Sequence, residues 1–142
     1  MAGPRFIDMY SILQTLFFSY GHRLLDYPGK CAHLHGHNGR VEVEFVSAEL
    51  NAQGMVRDFS EIKAELKNFL DGELDHVTIL AKDDPLVKLL KEIKEPVFVM
   101  QEPPTAENLA RLIFNYAVSR GLPVRAVRLW ETESSCAEYR EE

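Results

Sequence analysis

The stretch Leu34-His35-Gly36-His37-Asn38-Gly39-Arg40-Val41-Glu42-Val43-Glu44-Phe45 decides the fold. Val41, Val43 and Phe45 alternate with Glu42 and Glu44, and that period of two marks a strand with one buried face and one wet face. His35 and His37 lead directly into it. If the lead-in is extended, the two imidazoles share a face and Gly36 lies on the other. Residues two apart on a strand are roughly 7 Å apart at Cα, a spacing from which two imidazoles can converge on one ion with bonds of about 2.0–2.1 Å.

Working upstream, Arg5 to Ser19 is rich in Phe, Ile, Tyr, Leu and Thr and fits a long strand. Asp26-Tyr27-Pro28-Gly29 is a turn signal, since Pro pre-sets one dihedral and Gly frees the next. The two strands then form an antiparallel hairpin with a roomy loop. Four of the five histidines (His22, His33, His35 and His37) fall within 16 residues around it. In a straight strand His33 would stand about 13 Å from His37 at Cα, too far for both to reach one metal. The third ligand is better supplied by the neighbouring strand, where His22 is the candidate. Three histidines leave a fourth position open for water or substrate, the pattern of a catalytic zinc rather than a structural one. A solitary histidine is usually a solvated or core residue, so it is the clustering that carries the metal expectation.

Working downstream, Asp58 with Glu61 resembles a capping box, and Ile62, Leu66, Phe69 and Leu70 then share a helical face. A second helix is expected from Asp84-Pro85, carrying Leu86, Leu89, Leu90 and Ile93. A third opens at Thr105 with Leu109, Leu112, Ile113, Tyr116 and Ala117, and Gly121 and Pro123 stop it. Two strand-like pieces follow, Val124 to Glu131 and Ser135 to Arg140. This order predicts an α+β fold with an antiparallel sheet covered on one side. The 142 residues suit one domain, 1–142, with no repeat or linker.

Three further groups bear on chemistry. Cys31 precedes His35 by four residues. Beside a cation its thiolate would be favoured, making a base or nucleophile; as a fourth ligand it would instead close the site, and most free cysteines are simply small buried hydrophobes. Asp75-His76 is an adjacent pair in which the carboxylate can orient the imidazole and hold its proton. Glu131 ends the apolar face formed by Val127 and Leu129, and a buried carboxylate needs a partner. A ligand with a guanidine-like donor edge would serve, as would a structural Arg.

Composition sets limits. Hydrophobic residues make up 46% and charged residues 27%, a globular balance, and the net charge is −6 with no Lys/Arg run longer than a pair. Nucleic acid and anionic membrane surfaces are therefore not expected partners. Lacking an apolar run of about 18 residues and a leader pattern at its start, the chain is expected to be cytoplasmic. Cys31 and Cys136 are then expected as free thiols.

These pieces together resemble the 6-pyruvoyltetrahydropterin synthase and 6-carboxytetrahydropterin synthase family. The resemblance runs in order through Phe18-Ser19-Tyr20-Gly21-His22-Arg23-Leu24, Gly29-Lys30-Cys31, His35-Gly36-His37-Asn38, Gly54-Met55-Val56-Arg57-Asp58-Phe59, Leu74-Asp75-His76, Pro104-Thr105-Ala106-Glu107-Asn108 and Glu131-Thr132. It implies a T-fold (tunnelling fold), an antiparallel four-stranded sheet with helices on one face that oligomerises into a barrel. It also implies a homo-oligomer, trimer or hexamer, with active sites at subunit interfaces. The implied zinc ligands are His22, His35 and His37, and the implied catalytic residues Cys31, Asp75 and His76. Glu131 would anchor the pterin, with Thr105 and Glu107 lining its pocket.

The implied reaction converts 7,8-dihydroneopterin triphosphate to 6-carboxy-5,6,7,8-tetrahydropterin, releasing acetaldehyde and triphosphate, on the way to queuosine-type deazapurines. The alternatives are 6-pyruvoyl formation from the same substrate, on the way to tetrahydrobiopterin, and aldol-type cleavage of dihydroneopterin. The last is disfavoured by Cys31-Ala32, where such relatives often carry Glu. Outside enzymology, a zinc-binding module competes, its site closed by one cysteine and three histidines. Tyr20-Gly21 replaces the family's usual two small residues, Val77-Thr78-Ile79-Leu80 departs from its pattern, and Ala81 to Pro103 is longer than in many relatives.

Overall fold

The computed structural model describes residues 8–142. The first strand, β1, runs Tyr10–His22, and β2 runs His35–Ser47; they pair antiparallel along their whole length, from Tyr10 opposite Ser47 to His22 opposite His35. Of the stretch expected to open β1, Arg5, Phe6 and Ile7 lie outside the described residues. The connecting loop holds a single 3-10 turn at Lys30–Ala32. After it come α1 (Phe59–Phe69), which runs on into one wide turn at Leu70–Leu74, then β3 (Val77–Ala81), α2 (Leu86–Glu92), β4 (Val97–Met100), α3 (Ala106–Ser119), β5 (Val124–Trp130) and β6 (Cys136–Arg140).

The sheet corrects the four-stranded antiparallel expectation. It has six strands in the order β4-β3-β1-β2-β5-β6. The antiparallel four are present as β1, β2, β5 and β6, while β3 joins β1 in parallel and β4 joins β3 in parallel. Val77-Thr78-Ile79-Leu80, the segment that departs from the family pattern, is this added β3. Its residues are β-branched or apolar and suit a pleated surface. The chain returns through α2 before β4, and a crossover of this length gives parallel rather than antiparallel pairing. Part of the Ala81 to Pro103 stretch is thus a strand, not a loop. The expected α2 stripe buries none of its residues in this chain, with Leu89 56% and Ile93 69% exposed.

The core lies between one sheet face and α1 and α3. Phe18, Tyr20, Val41, Val43, Phe45, Val127 and Leu129 meet Ile62, Leu66, Leu109, Ile113 and Phe114. Asp58 caps α1 by accepting from Ser60 N–H, and Thr105 caps α3 by accepting from Asn108 N–H, each satisfying a donor left free at a helix start. Gly121 takes a positive φ of 71° just after α3, as a helix-terminating glycine does. On the opposite face the charged residues of β2 and β5 pair among themselves and with β6, Glu44 with Arg128 and Arg128 with Glu138.

Candidate metal centre and active site

The register of β1 on β2 builds the site. His22 sits directly opposite His35, and His37 sits opposite Tyr20. Cross-strand partners and residues two apart share a face, so Tyr20, His22, His35 and His37 all point to the helix-covered side. The ring centroids of the three histidines are 4.6 to 5.1 Å apart. One nitrogen from each lies within 4.8 Å of the others. These converging atoms come from the three imidazoles alone; Cys31 Sγ stands outside the group.

Backbone carbonyls orient two of the rings. His22 Nδ1 lies 2.7 Å from Pro104 O, and His35 Nδ1 lies 2.7 Å from His33 O. A carbonyl accepts only, so each Nδ1 carries the proton and each Nε2 presents its lone pair, the arrangement that metal-ligating histidines use. The Nε2 atoms of His22 and His37 are buried and make no aligned hydrogen bond among the described residues, although Glu131 stands within ion-pair distance of both. Buried polar atoms are rarely left so, and a cation between the rings would supply the missing partner. Burial pulls the His22 pKa down to about 4; the Pro104 carbonyl works against that, and the charges of His35 and His37 add to it. The ring therefore stays neutral and available as a ligand at ordinary pH. The residues fit a divalent metal.

His33 is exposed, and its main chain, not its ring, serves the centre. Glu131, one residue past β5, places Oε2 2.9 Å from His37 Nε2 and 3.9 Å from His22 Nε2. Burial raises its pKa, the neighbouring His37 and His35 lower it, and Glu107 raises it again. Glu107, in the first turn of α3, therefore belongs to the same neighbourhood. Thr105 uses its hydroxyl as the α3 cap, and Pro104 beside it holds His22. The N-terminal end of α3 is thus tied to the triad through a carbonyl that sequence reading did not identify.

Asp75 and His76 lie outside the converging group. Asp75 accepts from Ser19 N–H and from His76 Nδ1, each at 2.8 Å. Burial opposes the carboxylate, but the Ser19 and His76 hydrogen bonds outweigh it and hold the pKa below the usual range. His76 has a positive φ of 59°, unusual for a side chain of its size and a recurrent mark of functional positions. Its side chain is 81% exposed. It lines a cavity of about 440 Å³ at the ends of β1, β2 and β3, and His35 and His37 of the triad line the same cavity. Cys31 is half-buried in the 3-10 turn, its carbonyl accepting from Leu24 N–H at 2.8 Å, and both cysteines are free thiols.

Sequence reading also missed a clamp. Arg23, next to His22, donates through Nε to Asp84 at 2.8 Å, and Asp84 is buried and accepts from Leu86 N–H. The Arg23 guanidinium holds the Asp84 carboxyl below its usual range, against the effect of burial. The end of β1 is pinned to the start of α2.

Comparison with known proteins agrees with this architecture. Residues 11–142 match the 6-pyruvoyl tetrahydropterin synthase family. A 6-carboxy-5,6,7,8-tetrahydropterin synthase of Haemophilus influenzae is 34% identical, covering 94% of this chain and 100% of the relative. One from Aquifex aeolicus is 39% identical over 80% of this chain and 77% of its own. The solved 6-pyruvoyl tetrahydropterin synthase of Caenorhabditis elegans superposes with a TM-score of 0.72 at 25% identity, covering 96% of this chain and 98% of that one. The family match over residues 11–142, the relatives' identity over most of the chain and the shared T-fold agree, and the chain belongs to the 6-pyruvoyl tetrahydropterin synthase family of pterin-synthesising enzymes.

Proposed function

We propose that the protein converts 7,8-dihydroneopterin triphosphate to 6-carboxy-5,6,7,8-tetrahydropterin, releasing acetaldehyde and triphosphate, with zinc held by His22, His35 and His37. The observation that carries the metal assignment is the convergence of the three imidazoles, one nitrogen of each within 4.8 Å of the others, with His22 and His35 held at Nδ1 by carbonyls. The 6-carboxy product is supported by the names of the relatives at 34% and 39% identity. Bound zinc would supply Lewis acidity toward side-chain oxygens of the substrate.

The chain's own groups do the rest. Cys31 removes the proton from the side-chain carbon next to the ring. Asp75 keeps the His76 proton on Nδ1 and leaves Nε2 to exchange protons with the substrate. Glu131 receives the donor edge of the aminopyrimidine ring, and Thr105 and Glu107 border it. Membership of the family supports a homo-oligomer, trimer or hexamer, with active sites at subunit interfaces. No nucleic acid or membrane partner is invoked, and a cytoplasmic enzyme is the simplest setting; no helix among the described residues is long and apolar enough to cross a membrane.

Incubation with dihydroneopterin triphosphate and mass spectrometry of the product test the assignment. The 6-carboxy product with acetaldehyde is expected. A retained three-carbon side chain would assign the 6-pyruvoyl reaction instead, and an untouched substrate with bound zinc would favour a binding module.

A further inference from the structure

Resting on the substrate reading above, we propose that Tyr20 is a specificity residue whose hydroxyl donates a hydrogen bond to an oxygen of the substrate's three-carbon side chain. Tyr20 stands two residues before His22 on β1 and directly opposite His37 on β2. Its ring centroid is 5.2 Å from that of His22 and 5.7 Å from that of His37. The residue is only 4% exposed, yet its hydroxyl makes no hydrogen bond among the described residues. The Nε2 atoms of His22 and His37 are in the same state, so three buried polar atoms without an aligned partner gather at one place.

Packing asks only for the ring. Tyr20 stacks on Phe18 with centroids 4.8 Å apart, and Phe18 fills the same layer without a hydroxyl. The ring edge lies over Gly39, where a Cβ would come within 3.0 Å of Tyr20 Cε1. Phenylalanine at position 20 would meet all of these contacts. The hydroxyl adds a buried donor that has given up water and gained nothing, a state that costs stability and that native proteins rarely keep. Acceptors around the triad are already engaged. Glu131 Oε2 stands 2.9 Å from His37 Nε2, Pro104 O takes the His22 proton and His33 O takes that of His35. A phenol carries one donor hydrogen, and an acceptor brought by the substrate completes it.

The consequence concerns selectivity. A buried neutral donor beside the triad is satisfied by a hydroxyl or carbonyl oxygen and left unpaired by an alkyl group. Sites that hold a polar group for one ligand discriminate against analogues that lack its partner. Pterins with an oxygenated side chain are therefore preferred over those with a plain alkyl one, and the preference resides in one atom of Tyr20.

Wild type and Tyr20→Phe, with matched metal content, are compared by calorimetric titration with 7,8-dihydroneopterin and with 6-methyl-7,8-dihydropterin, which keeps the ring and lacks the side-chain oxygens. Denaturant unfolding at one fixed protein concentration is measured alongside. Tyr20→Phe should bind dihydroneopterin about two- to tenfold more weakly, the net worth of one hydrogen bond, and should bind the methyl compound no more weakly than wild type. Its folding constant without pterin should be at least about fivefold larger, because the unsatisfied hydroxyl is gone. Equal weakening toward both pterins would make the hydroxyl a structural group. A less stable variant would show that it is already hydrogen-bonded in the free protein, and an unchanged affinity for dihydroneopterin would show that it touches no side-chain oxygen. Each of these overturns the proposal alone, whereas a wild type that binds neither pterin sinks the substrate reading and this assignment with it.

Discussion

Gly39 offers the sharpest test of how the core supports the metal centre. A Cβ built there would lie 3.0 Å from Tyr20 Cε1, 3.3 Å from Leu129 Cδ1 and 3.3 Å from Phe18 Cε1. All three neighbours belong to the buried core, with Tyr20 4%, Phe18 2% and Leu129 0% exposed, so none can swing into solvent to make room. Gly39→Ala therefore overpacks the site, at a cost of about 1–3 kcal/mol. Against it stands the lower chain entropy of unfolded Ala, worth about 0.4–1 kcal/mol. The clash wins, and a net loss of about 1–2 kcal/mol is expected. Specific entropies of unfolding make that roughly 3–7 °C in Tm for a domain of this size.

The strain should also reach the triad. Tyr20 stacks on Phe18 with centroids 4.8 Å apart and stands 5.2 Å from His22 and 5.7 Å from His37. The assay is thermal unfolding in chelator at one fixed protein concentration, followed by zinc competition. Tyr20→Val in the Gly39→Ala background should recover part of the loss, giving a coupling energy of opposite sign to the single effects. A Gly39→Ala protein as stable as wild type, or more so, would refute the packing logic.

Other outcomes follow from the site. His22→Ala, His35→Ala and His37→Ala should each strip zinc measured by elemental analysis, while His33→Ala should keep it, because only the His33 carbonyl serves the centre. Cys31→Ala should lose turnover yet retain zinc, since its sulfur stands outside the converging group; loss of zinc in that variant would make the thiol a ligand. In metal-free protein, stability measured by denaturant titration should fall as pH drops from about 6.5 toward 4. Folded His22 titrates near 4 because of burial, whereas an unfolded histidine titrates near 6.5, or about that. Between those values only the unfolded chain takes up the proton, so acid favours unfolding there, and this contribution levels off below about 4. A stability flat across that window would show that His22 is not buried neutral.

Much of this protein is legible along the chain. The alternation at Val41, Val43 and Phe45, the Asp58 and Thr105 caps and the Gly121 stop are local features, and local physics places them where they were expected. The triad was also accessible, because an extended His-Gly-His and a histidine at the end of the partner strand need only a hairpin to meet. Strand register does the rest: with a side-chain period of two, pairing His22 with His35 puts all three rings on one face.

The parallel additions were not legible. Val77-Thr78-Ile79-Leu80 has the composition of a strand, but whether it joins the sheet, and in which direction, depends on where α1 returns the chain. Nor does any residue pattern announce that Pro104 and His33 lend carbonyls to the rings, because main-chain acceptors are the same at every position. The partner of Glu131 is of the same kind. A carboxylate at the end of an apolar strand demands compensation, and only the packing of β5 beside β2 shows that two histidines, rather than an arginine, stand within its reach. Short-range preferences belong to the sequence; which polar groups face one another across the sheet is decided by long-range contacts that exist only once the chain has folded.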